Sequence, residues 1–278
     1  MTRTTATAEL VDVDPDAFFA AIDVEPVRVA HRLVDDARMA TPALIELGDT
    51  LPSAWTKIDR GDVSPLALRR PVPGTDVGAV ISSLATTATT VRLYHLEHVP
   101  DFRRLGDDVL SSVDRELARS SAQPTGVSTA VFFGAPNAVV PAHIDRYHNL
   151  LFQIRGTKSV DIGWFTDPRR QQEEVERDFD GTARGPSELP PVQFTAELGP
   201  GDGVYIPPYA FHWTKSGADV SVALSVGWRT PTADRIARAH ECNVRMRARG
   251  LSPRPVGSSP AFDRLKATAT TVARRLRG

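Results

Sequence analysis

The pattern of apolar and polar positions divides the chain into three stretches. In residues 126–230, short runs rich in Val, Ile and Phe alternate with Gly, Pro and Asn: STAVFFG, AVVPAHID, NLLFQIRG, KSVDIGWF, VQFTAEL, GVYIPP and VSVALSVGW. Repeated short runs at this spacing predict an all-β sandwich or barrel. Residues 1–125 read as a mixed, mostly helical region that contributes strands to that core. Asp14 before Pro15 opens a helix through DAFFAAI. Asp36 to Leu51 and Asp101 to Arg119 also read as helices. In the latter, Leu105, Val109, Val113 and Leu117 recur every four residues and mark one buried stripe. The segment TTVRLYHLEHV reads as a strand ending before Pro100. Residues 231–278 return to helix, from Pro231 to a stop at Gly250 and again over about 261–276. The polar stretch DPRRQQEEVERDFDGTARGPSELPP is too charged for a core and reads as a loop or short helix at the mouth of the barrel.

Composition narrows the class. The chain has 278 residues, 41% hydrophobic and 24% charged, which is ordinary for a globular protein. A single cysteine, Cys242, excludes an internal disulfide framework and points to a reducing compartment. The amino terminus lacks the apolar core of a signal peptide, and no run approaches a membrane span. The expectation is a cytoplasmic protein with no membrane partner. The net charge of −1 hides an asymmetry: residues 1–50 carry ten acids and four basic residues, residues 231–278 eleven basic residues and three acids. A basic end can serve a nucleic-acid-binding regulator. With no accompanying nucleic-acid motif, a solvated helix face or docking within the protein is the favoured reading.

The chemistry concentrates in PAHIDRYHN. Side chains two apart on a strand point the same way, so His143 and Asp145 project together and could chelate a divalent metal. His212, after the proline-stiffened GDGVYIPPYAF, would complete a facial triad with open positions. Taken alone, the tripeptide is as well explained by a surface His–Asp hydrogen bond. Lys158 shares a strand face with Val160 and Ile162. It either snorkels to water or is a cation inside the barrel awaiting a buried carboxylate. Tyr94 reads first as a core tyrosine. His95, Glu97 and His98 resemble a metal cluster, but a strand would send the two histidines to opposite sides. His31 and His240 fall in helical sequence without obvious partners, and His148 faces away from Asn149.

These segments resemble the JmjC and cupin-like branch of the iron(II)/2-oxoglutarate oxygenases, which includes the asparaginyl hydroxylase that inhibits hypoxia-inducible factor. PAHIDRYHNLLFQIRGTK is similar to the segment bearing the His-x-Asp ligands, GDGVYIPPYAFHW to that bearing the distal histidine, and RLYHLEH to an upstream stretch whose tyrosine touches the co-substrate. The resemblance implies a double-stranded β-helix, or jelly roll, with helices before and after it. It implies that His143, Asp145 and His212 hold Fe(II), that Lys158 pairs with the distal carboxylate of 2-oxoglutarate, and that Tyr94 and Asn149 contact the same co-substrate. Residues 216–228 hold no Lys or Arg to compete with Lys158, leaving Arg229. Val140 and Val226 stand where that hydroxylase has polar contacts, with Ser221 or Ser225 as replacements. The implied activity is O2-dependent hydroxylation of an amino-acid side chain, free or in a peptide, or of a related metabolite, with release of succinate and CO2. The carboxylate at Asp145 favours hydroxylation over halogenation. A cupin-type metal- or ligand-binding protein without oxygenase chemistry is the competing expectation. A homodimer through the C-terminal helices is a further implication.

Overall fold

A computed structural model describes residues 9–73, 76–120, 122–180 and 185–276. Twelve strands form in chain order: β1 (Val11–Asp12), β2 (Val27–His31), β3 (Thr56–Arg60), β4 (Thr89–Leu93), β5 (Gly126–Gly134), β6 (Val139–Ile144), β7 (His148–Arg155), β8 (Lys158–Gly163), β9 (Val192–Leu198), β10 (Asp202–Ile206), β11 (Phe211–Ser216) and β12 (Ser221–Arg229). The helices are α1 (Pro15–Ala21), α2 (Thr41–Thr50), α3 (Val77–Ser83), α4 (Pro100–Ser111), α5 (Asp114–Arg119), α6 (Pro168–Asp180), α7 (Pro231–Arg247) and α8 (Pro260–Arg275).

The strands pair antiparallel in two sheets, ordered β1-β2-β10-β7-β12-β5-β4-β3 and β6-β11-β8-β9. Counting β5 to β12 as one to eight, the central orders are 1-8-3-6 and 2-7-4-5. That is a double-stranded β-helix, two Greek keys rolled face to face. The N-terminal strands extend the larger sheet at both edges, β2 beside β10 and β4 beside β5.

Period-two alternation assigns the faces. On β7, Leu150, Phe152 and Ile154 join a core shared with the N-terminal helices, whereas Leu151 packs inside the roll with Val160 and Ile162. The predicted α-helical stripe holds: Leu105, Val109, Val113 and Leu117 are all fully buried. Each such side chain contributes on the order of 1.5–3 kcal/mol. The helix carrying them breaks between α4 and α5, where the Ser111 and Ser112 hydroxyls bond back to the Asp107 and Asp108 carbonyls.

Several expectations need correction. Asp36 to Leu51 is not one helix. Asp36 caps a short 3-10 turn, Ala37–Met39, and the chain restarts as α2 at Thr41, because Pro42 is tolerated only in a first turn. The strand through residues 89–99 stops at Leu93, and His95 takes a left-handed conformation (φ 60°) before a 3-10 turn, Leu96–His98. Of the two readings of the polar stretch after Asp167, the helix is the one that forms, and it is not wholly solvent-facing. This is α6, whose Glu174, Val175 and Glu176 are buried; residues 181–184 of that stretch lie outside the described ones. Glu176 is matched by Gln172, His240, Asn243 and Arg247, so His240 has a partner after all. His31 is on β2 rather than a helix, bonded to the Gln153 carbonyl and the Leu33 N–H. Helix α7 packs on α6 and α8 on α7, with Arg247 paired to Glu176 and Arg274 to Glu241. No helix among the described residues is long and apolar enough to cross a membrane.

Candidate active site

Strand pairing brings the candidate ligands together. His143 on β6 lies directly opposite His212 on β11, and their rings are 4.3 Å apart. Asp145 follows β6, with its backbone carbonyl taking the Tyr209 N–H at 2.8 Å. One donor atom from each of His143, Asp145 and His212 lies within 4.8 Å of the other two. A register irregularity separates the His212 pairing from that of Thr214, across Pro141 and Ala142. Pro141 has no N–H to give a ladder, and bulges of this kind re-aim a side chain beside a site.

The imidazoles are also oriented. His143 Nδ1 is 2.9 Å from the Pro141 carbonyl, and His212 Nδ1 is 3.1 Å from that of Ala210. A carbonyl accepts only, so each Nδ1 carries the hydrogen and each Nε2 presents a lone pair. His212 Nε2 is 3.7 Å from Asp145 Oδ2. Burial, then the neighbouring His212 and Arg69, pushes His143 well below its usual pKa and keeps it in the neutral form a cation needs. Two aimed imidazole nitrogens and a carboxylate fit a hexacoordinate transition metal with room for further ligands.

The same cavity holds Lys158, Tyr94 and Asn149. Lys158 opens β8 and alternates as expected: it, Val160 and Ile162 are buried, while Ser159 and Asp161 are partly exposed. It does not snorkel to water. Burial lowers its pKa to about 8, with no acidic group offsetting the shift. The Tyr94 hydroxyl accepts from Arg92 at 3.1 Å. Asn149 has both ends of its amide engaged, giving Nδ2–H to Asp145 at 3.2 Å and taking the Ser225 hydroxyl at 2.8 Å. Ser225 lines the cavity; Ser221 instead bonds Gln153. Val140 borders the cavity, but Val226 faces the core behind β12.

Three residues of the cavity escaped the sequence reading. Arg92, paired with Asp59, sits on β4 two positions before Tyr94. Its signal was weak: Arg92 shares a strand face with Thr90 and Tyr94, opposite Val91 and Leu93, which reads as an ordinary polar side. Arg69 had none. Its segment is laid along β6 by backbone bonds from Ala142 to Pro65 and Val139 to Gly61. Burial, then repulsion from Arg92, lowers Arg69 to about 10. Tyr147 borders the cavity and its mouth, and the Asp145 charge, reinforced by burial, raises its pKa well above normal. Outside lies a hollow of about 710 Å3 containing Asp145, Tyr147, Arg229, Asp234 and Arg238.

Comparison with known proteins agrees with this fold. Residues 110–236 match the JmjC domain family model. No curated protein matches the chain. Among solved structures, Escherichia coli ycfD superposes with a TM-score of 0.56 at 15% identity, over 95% of this chain and 68% of that one. A second structure of the same protein, described as the ribosomal oxygenase YcfD, gives 0.53 at 17% identity, over 95% and 67%. A third, in complex with cobalt and 2-oxoglutarate, gives 0.52 at 16% identity, over 93% and 65%. Residues 110–236 are thus similar to a JmjC domain, and the chain has the jelly-roll fold of those neighbours.

Proposed function

We propose that the protein is an iron(II)- and 2-oxoglutarate-dependent oxygenase that hydroxylates an amino-acid side chain. The observation that carries this reading is Lys158, a buried cation in the same cavity as the His143, Asp145 and His212 donor set. A metal-binding protein without a dicarboxylate co-substrate gives no reason to bury that charge. His143, Asp145 and His212 would hold Fe(II), and Lys158 would pair with the distal carboxylate of 2-oxoglutarate, where pairing offsets desolvation. Tyr94 would flank the same ligand. Asn149, with its amide already engaged, would act by fixing Asp145. Bound iron supplies activation of O2; the chain supplies ligands, orientation and a dry cavity. The sum is 2-oxoglutarate, O2 and substrate giving succinate, CO2 and hydroxylated substrate. The solved neighbour bound to cobalt and 2-oxoglutarate supports the co-substrate.

The charged hollow outside, bearing both acids and arginines, favours a peptide or protein segment over a small metabolite. The neighbour's description as a ribosomal oxygenase is in keeping with this. Half-buried Cys242 fits a reducing compartment such as the cytoplasm. On α8 and its C-terminal cap, Phe262, Leu265, Val272 and Leu276 are exposed at heptad-like spacing, which supports a homodimer through the C-terminal helices. Light scattering on Leu265→Lys should then report a monomer.

The deciding experiment is anaerobic loading with Fe(II) and 2-oxoglutarate, then admission of O2, with succinate measured and candidate peptides screened by mass for gain of one oxygen. Succinate no higher than in His143→Ala would overturn the reading. So would 2-oxoglutarate binding that is negligible in both the wild type and Lys158→Ala.

A further inference from the structure

The segment after β4 makes a second constellation outside the roll. One donor atom from each of His95, Glu97 and His98 lies within 4.8 Å of the other two. A strand would have separated the two histidines, but the chain does not continue as one. His95 turns left-handed and caps a 3-10 turn, in which residues three apart eclipse, so His95 and His98 share a side. Leu96, fully buried, anchors that turn in the core.

The constellation is held from beneath. Glu97 Oε2 accepts the Thr129 N–H at 3.0 Å, which fixes the carboxylate and leaves Oε1 toward the histidines. Oε1 is 3.5 Å from His95 Nδ1 and 3.9 Å from His98 Nε2. Both separations exceed a good hydrogen bond. The indole of Trp55 supports both imidazoles, at 5.7 and 5.4 Å between ring centres. Left-handed backbone at a non-glycine residue costs on the order of 1 kcal/mol, so surrounding contacts must enforce it.

We propose that His95, Glu97 and His98 form a second divalent-cation site, of the zinc class, on the rim of the active-site mouth. A tetrahedral cation with ligand bonds of about 2.0–2.1 Å spaces its ligand atoms by about 3.3 Å. The measured separations of 3.5 and 3.9 Å exceed that value by about 0.2 and 0.6 Å, a gap that rotation of two exposed imidazoles can close. Two nitrogens and one carboxylate select a borderline cation such as zinc over calcium or magnesium, which take oxygen donors. Three protein ligands leave a fourth position open. His95 and Glu97 border the hollow that also contains Asp145 and Tyr147, so that position is available to water or to a carboxylate or carbonyl of whatever docks there.

The test is zinc stoichiometry of the full chain, read by native mass spectrometry and competition with a chromophoric chelator, and it does not involve oxygenase turnover. Wild type should take two equivalents, and His143→Ala/His212→Ala should keep one. His95→Ala/His98→Ala should also keep one, and the variant combining all four substitutions should take none. His98→Gln, at an exposed position, serves as a second variant that leaves the fold intact and should weaken the rim site at least tenfold. The proposal is overturned if His95→Ala/His98→Ala binds as many equivalents as wild type, or if His143→Ala/His212→Ala binds none.

Discussion

Asn149 gives its amide N–H to Oδ2 of Asp145, at 3.2 Å, from the neighbouring strand β7. The contact ties the carboxylate of the triad to the larger sheet, while both histidines belong to the smaller one. Removing a partner that orients a metal ligand typically costs about 10–100-fold in metal affinity. Asn149→Ala should therefore weaken cobalt(II) or iron(II) binding by that factor, measured by titration without 2-oxoglutarate. Unchanged metal affinity with a raised KM for 2-oxoglutarate would instead make Asn149 a direct co-substrate contact.

Lys158 should couple binding to pH. Its folded pKa of about 8 lies below the ordinary 10.5, so the folded protein disfavours the ammonium. Below pH 8 this burial costs on the order of 3 kcal/mol; the penalty fades as pH rises from 8 to 10.5, where the unfolded chain holds more protons. Lys158→Met should melt higher than wild type at pH 7 in the absence of ligand, yet bind no 2-oxoglutarate. In wild type, calorimetric affinity for 2-oxoglutarate should fall as pH passes 8.

Glu176 should govern acid stability. Burial opposes its ionisation, but hydrogen bonds from His240, Gln172, Asn243 and Arg247 outweigh that and hold it at about 2. Its contribution is full above the unfolded value of 4.5 and is lost as pH falls through 2. Glu176→Ala breaks a buried ionic cluster and should cost about 3–5 kcal/mol near neutrality. Denaturant melts from pH 6 to 2 should show the two proteins converging at the acid end.

Gly227 leaves space for an aromatic at the mouth. A Cβ there would stand 2.7 Å from the Tyr147 ring and 3.2 Å from the His148 carbonyl. Gly227→Ala must displace the ring, at about 1–3 kcal/mol. Since Tyr147 borders the mouth, we expect a raised KM for the prime substrate with metal affinity unchanged. Identical kinetics would show that Tyr147 has room to yield.

Much of this was legible in the sequence, for identifiable reasons. His143 and Lys158 lie on strands and Asp145 directly follows one, where a period of two converts spacing into direction. The left-handed turn at His95 was not legible, because a run of apolar and aromatic residues there imitates a strand. Arg69 was hidden because its position depends on backbone bonds from its loop to β6. The charges of α6 looked like solvent-facing polarity because their partners, His240, Asn243 and Arg247, are more than sixty residues away.

Strand β11 pairs with β6 on one side and β8 on the other, setting His212 opposite both His143 and Ile162. A slip of one residue would turn His212 out of the cavity and bring Trp213 in, on both ladders at once. A cation held by His143, Asp145 and His212 would therefore require the native register of β11. At a hundred times its dissociation constant, a ligand bound solely by the native state adds about 2.7 kcal/mol to stability.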